Sequence, residues 1–214
     1  MAGTTQTTIC NRALQLCGSQ PINSINDNSR GARALQTCYQ SVLYNELRSN
    51  FWGFSLKRAI LPASTTVPSF GPANYYPLPP DFLMLAPQDE YMSLSFGFSA
   101  TIPNQPNVNV IYRDYKIEQM PDGSGMAIVS DQPSPLYIRY ISNAINEGNF
   151  DPSFSEAFAC SLAIAICEEL TQNTQKLAQI EQIYIKVMGE ARKRNAYEKQ
   201  PTQSPVDPYI VVRL

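Results

Sequence analysis

Between Phe154 and Leu170 the chain is apolar on every side of a helix. Phe154, Phe158, Leu162, Ile166 and Leu170 recur along one side, and Ala157, Ala159, Ala163, Ala165 and Cys167 fill the other. A helix with no polar face must lie at the centre of a core, covered by other elements. Asp151 or Ser153 is placed to cap its start, with Pro152 in the first turn. The apolar run from Ala157 to Cys167 is shorter than the roughly 20 residues of a membrane span. No signal-peptide pattern opens the chain, so the expectation is a protein without membrane insertion.

The elements available to cover that helix lie at both ends of the sequence. From Thr5 to Cys17, Ile9, Ala13, Leu16 and Cys17 fall at helical spacing, and Gly18 then Pro21 mark a stop. Asn26 to Ser29 offers several N-caps for a second helix carrying Ala32, Leu35, Tyr39, Val42, Leu43 and Leu47, ending near Asn50. These two helices are expected to form an αα-hairpin. After Asn173-Thr174 a fourth helix carries Leu177, Ile180, Tyr184, Val187 and Ala191, and it ends before Pro201.

The middle of the chain reads differently. A strand is expected within Phe51 to Ala63, followed by a Pro- and Ser-rich loop over residues 62–80. Further strands are expected at 81–86, 108–117, 126–130 and 136–142, with an exposed loop at 91–107. In the last strand Leu136, Ile138 and Tyr140 alternate with Tyr137, Arg139 and Ile141. Met120-Pro-Asp-Gly-Ser-Gly125 reads as a turn. The expected fold is therefore α+β. An antiparallel four-helix core (1–52 and 151–199) would carry an inserted β-rich, proline-rich region (53–150) and an extended C-terminal arm (200–214).

Composition narrows function more than fold. Charged residues are 16% of the chain and the net charge is −2, which disfavours a generic nucleic-acid binder. There is no histidine, which removes Ser-His-Asp and Cys-His catalysis and His-ligated metal sites. Cys10, Cys17, Cys38, Cys160 and Cys167 are odd in number and lack CxxC spacing. They read as buried free thiols suited to a reducing cytosol rather than a disulfide framework or a metal site. No cofactor is expected.

Few residues suggest chemistry. Gly123-Ser-Gly125 is too short for a phosphate loop. Glu168 and Glu169 point to different helix faces. Asp81, Asp89, Glu90 and Asp114 could supply the paired carboxylates of a tail-associated polysaccharide hydrolase, the enzyme alternative, although scattered surface acids explain them as well. Arg192, Lys193 and Arg194 are the one basic cluster. They would complement the dipole at a helix end or, alternatively, contact DNA or phosphate. Trp52, beside Phe51 and Phe54, is expected to close a core where helix turns into strand. The tail from Pro201 ends in Tyr209-Ile-Val-Val-Arg-Leu214, and such an apolar terminus must pack on its own domain or on a neighbour.

An ordered set of short motifs goes further. Ile9-Cys-Asn-Arg-Ala-Leu14 with Leu16 and Gly18, then Asn28-Ser-Arg-Gly-Ala-Arg-Ala34 through Tyr39 and Leu43, open the series. Asn50-Phe-Trp-Gly-Phe54 with Lys57-Arg-Ala59, and Tyr76-Pro-Leu-Pro-Pro-Asp-Phe-Leu83, follow. Tyr137-Ile-Arg-Tyr-Ile141, Phe150-Asp-Pro-Ser-Phe154 and Glu156-Ala157 complete it. Over about residues 5 to 195 the chain resembles the tail tubular protein A family, the head-to-tail adaptors of short-tailed bacteriophages. It departs from that pattern at Phe51, where proline is common, and at Gln119-Met120, where glycine often follows the strand.

The resemblance implies a structural virion protein of the tail or neck, without catalysis, assembled in the host cytoplasm. It implies a homo-oligomeric ring, a dodecamer, between the portal protein and a tail nozzle protein of the tail tubular protein B type, with tail fibres as further neighbours. Genome DNA would pass through the lumen without sequence-specific binding. The C-terminal arm would hold the portal through Tyr209, Ile210, Val211, Val212 and Leu214, while the exposed faces of the second and fourth helices would form the wall between subunits.

Overall fold

The computed structural model describes residues 4–86 and 115–198. Among these residues four α-helices flank the middle of the chain: α1 Gln6–Cys17, α2 Arg30–Ser49, α3 Pro152–Thr171 and α4 Thr174–Tyr197. Each begins on a side-chain cap. Thr5 forms a reciprocal capping box with Thr8, Ser29 caps α2, Asp151 accepts from the amides of Ser153 and Phe154, and Asn173 caps α4. Gly18 ends α1 at a φ of 76°, a conformation that costs glycine nothing sterically.

Between α2 and α3 the described residues form six strands: β1 Leu56–Leu61, β2 Asn74–Pro77, β3 Phe82–Leu85, β4 Lys116–Gln119, β5 Met126–Ser130 and β6 Leu136–Ser142. They form two antiparallel sheets of three strands, in the orders β1-β6-β3 and β2-β5-β4. β4 and β5 are joined by the expected turn, where the Met120 amide donates to the Gly125 carbonyl and Gly123 takes a φ of 72°. The strand at 136–142 has its expected bounds. β2 lies inside the stretch read as loop, because the β-favouring Tyr75-Tyr76 pair sits among prolines and turn residues. The 108–117 expectation meets the structure only at Tyr115 to Ile117; its earlier residues, and the 91–107 loop, lie outside the described residues.

The expected four-helix core does not describe the packing. α1, α2 and α4 each lie along α3, and no other helix pair among the described residues packs comparably. The hairpin expected of α1 and α2 is thus replaced by two helices that each dock on α3. They meet where Gly31 approaches Leu14, so closely that an added Cβ would lie 2.9 Å from a Leu14 methyl. Nor is the core purely helical. Trp52, Phe150 and Ile141 of β6 are buried in the same cluster as the helices, with Phe54, Leu56 of β1 and Met84 of β3 packed against it. The reason was visible in α3 itself. A helix apolar on all sides needs cover in more directions than neighbours in a four-helix bundle supply, and a sheet face helps provide it.

The β1-β6-β3 sheet serves two cores. Leu56, Met84 and Ile141 face the helices, whereas Leu61, Leu136, Ile138 and Tyr140 meet Tyr76 and Ile128 of the second sheet. Period-two alternation produces this division. Register pairs Leu56 with Ile141 on one face and Leu61 with Leu136 on the other.

Candidate functional site

Among the described residues, three groups of side chains join elements that are distant in sequence. At the first joint Asp81, just before β3, accepts from Lys57 Nζ at 2.8 Å, Ser142 Oγ at 2.7 Å and the Tyr140 hydroxyl at 3.0 Å. Its backbone carbonyl accepts from the Asn143 amide at 2.9 Å. Antiparallel register explains the gathering: Lys57 lies opposite Tyr140, and Phe82 opposite Ser142, so all three donors reach the turn before β3. Partial burial pushes the Asp81 carboxyl up. The hydrogen bonds from Lys57, Ser142 and Tyr140, with the Lys57 charge, outweigh it and hold the group down at about 2. Burial and then the Asp81 carboxylate raise Tyr140 to about 12.

At the second joint Arg12 of α1 grips Glu156 of α3. Its Nε donates to Oε1 and Oε2 at 2.9 and 3.1 Å, and its Nη2 donates to Oε1 at 2.6 Å. This fork holds the helices in one register. Arg30, at the start of α2, donates to the Glu169 carbonyl near the C-terminus of α3, where a cation also complements the dipole.

The third joint closes the exit from α2. Trp52 is fully buried and meets Phe154 edge-on at 4.8 Å, while Phe54 packs on Phe150 and Phe154 at 5.3 and 4.9 Å. The Trp52 indole donates to the Glu46 carbonyl at 3.1 Å. Asn195 of α4 accepts from the Gly53 amide and donates to the Phe51 carbonyl, fastening the exit loop to that helix. Beneath it, Glu46 is buried and accepts from the Tyr184 hydroxyl at 2.9 Å.

The sequence-derived candidates fare unequally. Of the four carboxylates considered for hydrolysis, Asp81 is engaged by three donors, and an acid held near 2 cannot protonate a leaving group at neutral pH. Asp89, Glu90 and Asp114 lie outside the described residues, as do the portal contacts Tyr209, Ile210, Val211, Val212 and Leu214. Arg192, Lys193 and Arg194 are exposed in the last turns of α4. Consecutive helix positions point about 100° apart, so the three do not form one patch. Arg194 donates to Ser153 Oγ at 2.8 Å, and Arg192 acts electrostatically on Tyr184.

Among the described residues no group of His, Cys, Asp and Glu could hold a metal ion. The cysteines are free, with four buried and Cys38 half-buried. No helix among the described residues is long and apolar enough to cross a membrane.

Sequence reasoning missed Lys57, Glu46, Asn195 and Tyr184 as joint residues. Glu46 left a signal: it continues the Tyr39, Leu43 spacing of the apolar face of α2, where a charge requires an internal partner. No family model matches this sequence, and no curated protein matches it.

Proposed function

We propose that this chain is a structural virion protein, a head-to-tail adaptor that forms a ring between portal and tail nozzle and lines the DNA-ejection channel. One observation supports the reading above the others: motifs that carry the resemblance, remote in sequence, contact one another as joints. Arg12 of the first motif holds Glu156 of the last. Lys57 of the aromatic exit holds Asp81 of the proline turn. Trp52 and Phe54 pack on Phe150 and Phe154. Residues recognisable as a set are thus those that fix the relative placement of helices and sheets, as a structural module needs.

In this reading the chain carries no catalysis. Its partners are the portal protein, a tail nozzle protein, tail fibres and further copies of itself in a dodecameric ring in the virion tail. Genome DNA passes through without sequence reading. The segment from Pro201 to Leu214 holds the portal, and many copies in one ring add avidity.

Purified protein mixed with portal and imaged by electron microscopy tests this reading. The expected product is a ring stacked on the portal, absent when residues 201–214 are deleted. Head binding retained by the truncated chain would remove the arm from the interface. No association of the intact chain at any salt concentration would remove the adaptor reading itself.

A further inference from the structure

β4 is an end strand of its sheet, and among the described residues nothing covers its outer edge. In the order β2-β5-β4 the other end strand is covered, since the Ser64 amide donates to the Tyr75 carbonyl at 2.7 Å. All four residues of β4, Lys116, Ile117, Glu118 and Gln119, are exposed. Neither Lys116 nor Glu118 forms an ion pair among the described residues. An uncovered edge is a template for another strand.

Two hydrogen bonds show which main-chain groups of β4 face outward. The Met120 amide donates to the Gly125 carbonyl across the hairpin, and the Met126 carbonyl accepts from the Leu78 amide on the β2 side. Inward and outward positions alternate along an antiparallel ladder. Met126 therefore turns its main chain to β2, and Ala127 turns its own to β4. Glu118 lies opposite Ala127 and Lys116 opposite Val129, so these two bond to β5. Tyr115, Ile117 and Gln119 turn their N–H and C=O groups to the open edge.

A further strand can join only where its own outward positions oppose these. β4 of a second copy meets that condition, antiparallel about a two-fold axis through Ile117. The two Ile117 residues then oppose each other, Tyr115 opposes Gln119, and Lys116 of each copy opposes Glu118 of the other. The charged pairs fall at the closely spaced, non-hydrogen-bonded positions, with Cα atoms about 4.5 Å apart, where side chains approach best. Axes through Lys116 or Glu118 would instead set like charges face to face, so charge selects one register. Lysines alone, or a proline, would guard such an edge, whereas Lys and Glu on either side of Ile117 complement themselves.

We propose that two copies of this chain pair through β4 in this register and form one continuous sheet. A two-fold pair is closed to further copies, so this contact differs from the head-to-tail contact of a ring. It is a property of the free chain and does not rest on the adaptor reading.

Sedimentation equilibrium of the full chain over a concentration series tests the pairing, and a monomer–dimer equilibrium is expected. Lys116→Glu alone, or Glu118→Lys alone, sets like charges opposite each other at both ends of the contact and should weaken it about tenfold. Mixed in equal amounts, the two variants should pair with each other as tightly as the parent pairs with itself. The double variant Lys116→Glu/Glu118→Lys should also pair like the parent. Ile117→Pro removes an outward amide that serves no bond to β5, and it should abolish pairing. Circular dichroism checks that each variant is folded, and rescue on mixing is a second check, because only folded variants can pair. A parent that is monomeric at about 1 mM overturns the proposal. So does association equal in the parent and both single variants, failure of rescue between folded variants, or undiminished pairing of Ile117→Pro. Imaging with portal is scored separately: a ring on the portal without free dimers removes the β4 pair alone, and dimers without portal association remove the adaptor reading alone.

Discussion

Tyr184 on α4 donates its hydroxyl at 2.9 Å to Glu46 on α2, a carboxylate buried in the core. The other carboxylate oxygen of Glu46, and the side-chain nitrogen of Asn50 one turn on, are buried without a protein partner. Burial, then the charge and hydrogen bond of Glu46, push the Tyr184 hydroxyl well above its usual range. The pair links helices that otherwise make few contacts with one another. Tyr184→Phe should lower stability by about 1–3 kcal/mol, because it leaves a buried carboxylate with less compensation. A double variant with Glu46→Leu should lose less than the sum of the two singles. Urea denaturation of the four proteins measures the coupling, and strict additivity would contradict it.

Asp81 makes stability depend on acid. Its folded pKa lies below the unfolded value of about 3.9, so its contribution is complete above that pH. The contribution is lost as pH falls through about 2. Allowing for solvent screening of this partly exposed group, the loss is about 1 kcal/mol. Asp81→Asn should be less stable than the parent near neutrality, and the gap should narrow between about pH 4 and pH 2. Denaturation midpoints across that range provide the check.

Trp52 is the sole tryptophan and is 1% exposed. Native emission should therefore lie to the blue of free indole and move red on unfolding. Trp52→Ala removes the centre of the aromatic joint and the donor to the Glu46 carbonyl, at a cost of about 3–5 kcal/mol. Thermal melting followed by circular dichroism tests this, since the variant has no fluorescent reporter of its own.

The thiols should be inert in the folded protein. Burial raises Cys10 and Cys17 to about 12 and Cys160 to about 11, so little thiolate exists near pH 8. A disulfide reagent should react slowly with native protein and promptly with five thiols in denaturant. Fast labelling of Cys10, Cys17 or Cys160 in native protein would mean that α1 and α3 separate readily.

Arg12 and Glu156 are each more than a third exposed, so their fork is worth at most about 1 kcal/mol. Arg12→Lys retains the charge and loses the two-pronged geometry. It should cost nearly as much as Arg12→Gln in urea denaturation. Equal stability of Arg12→Lys and the parent would assign the contact to charge alone.

Helix bounds were legible because caps are local. Thr5, Gly18, Ser29 and Asp151 act within a few residues of where they stand in the sequence. The strand at 136–142 was legible for a similar reason: its alternation is written in seven consecutive residues. β2 was not, because four residues among prolines carry too little pattern, and its pairing partner β5 lies some fifty residues away. Of the joints, the burial of Trp52 was anticipated. The partners of Asp81, Arg12 and Glu46 were not, since each depends on contacts between distant segments.

The sequence by itself determined where helices start and stop, that α3 must be central, that histidine chemistry is excluded, and which motifs stand out. Those properties follow from local sterics, periodicity and residue inventory. Only the tertiary structure decided what surrounds α3. Three helices lie on that one helix, and a sheet face carrying Leu56, Met84 and Ile141 contributes to the same core. It also decided that Lys57, Tyr140 and Ser142 converge on Asp81. Register between strands far apart in sequence sets that convergence, and register is a property of the assembled sheet rather than of any one segment.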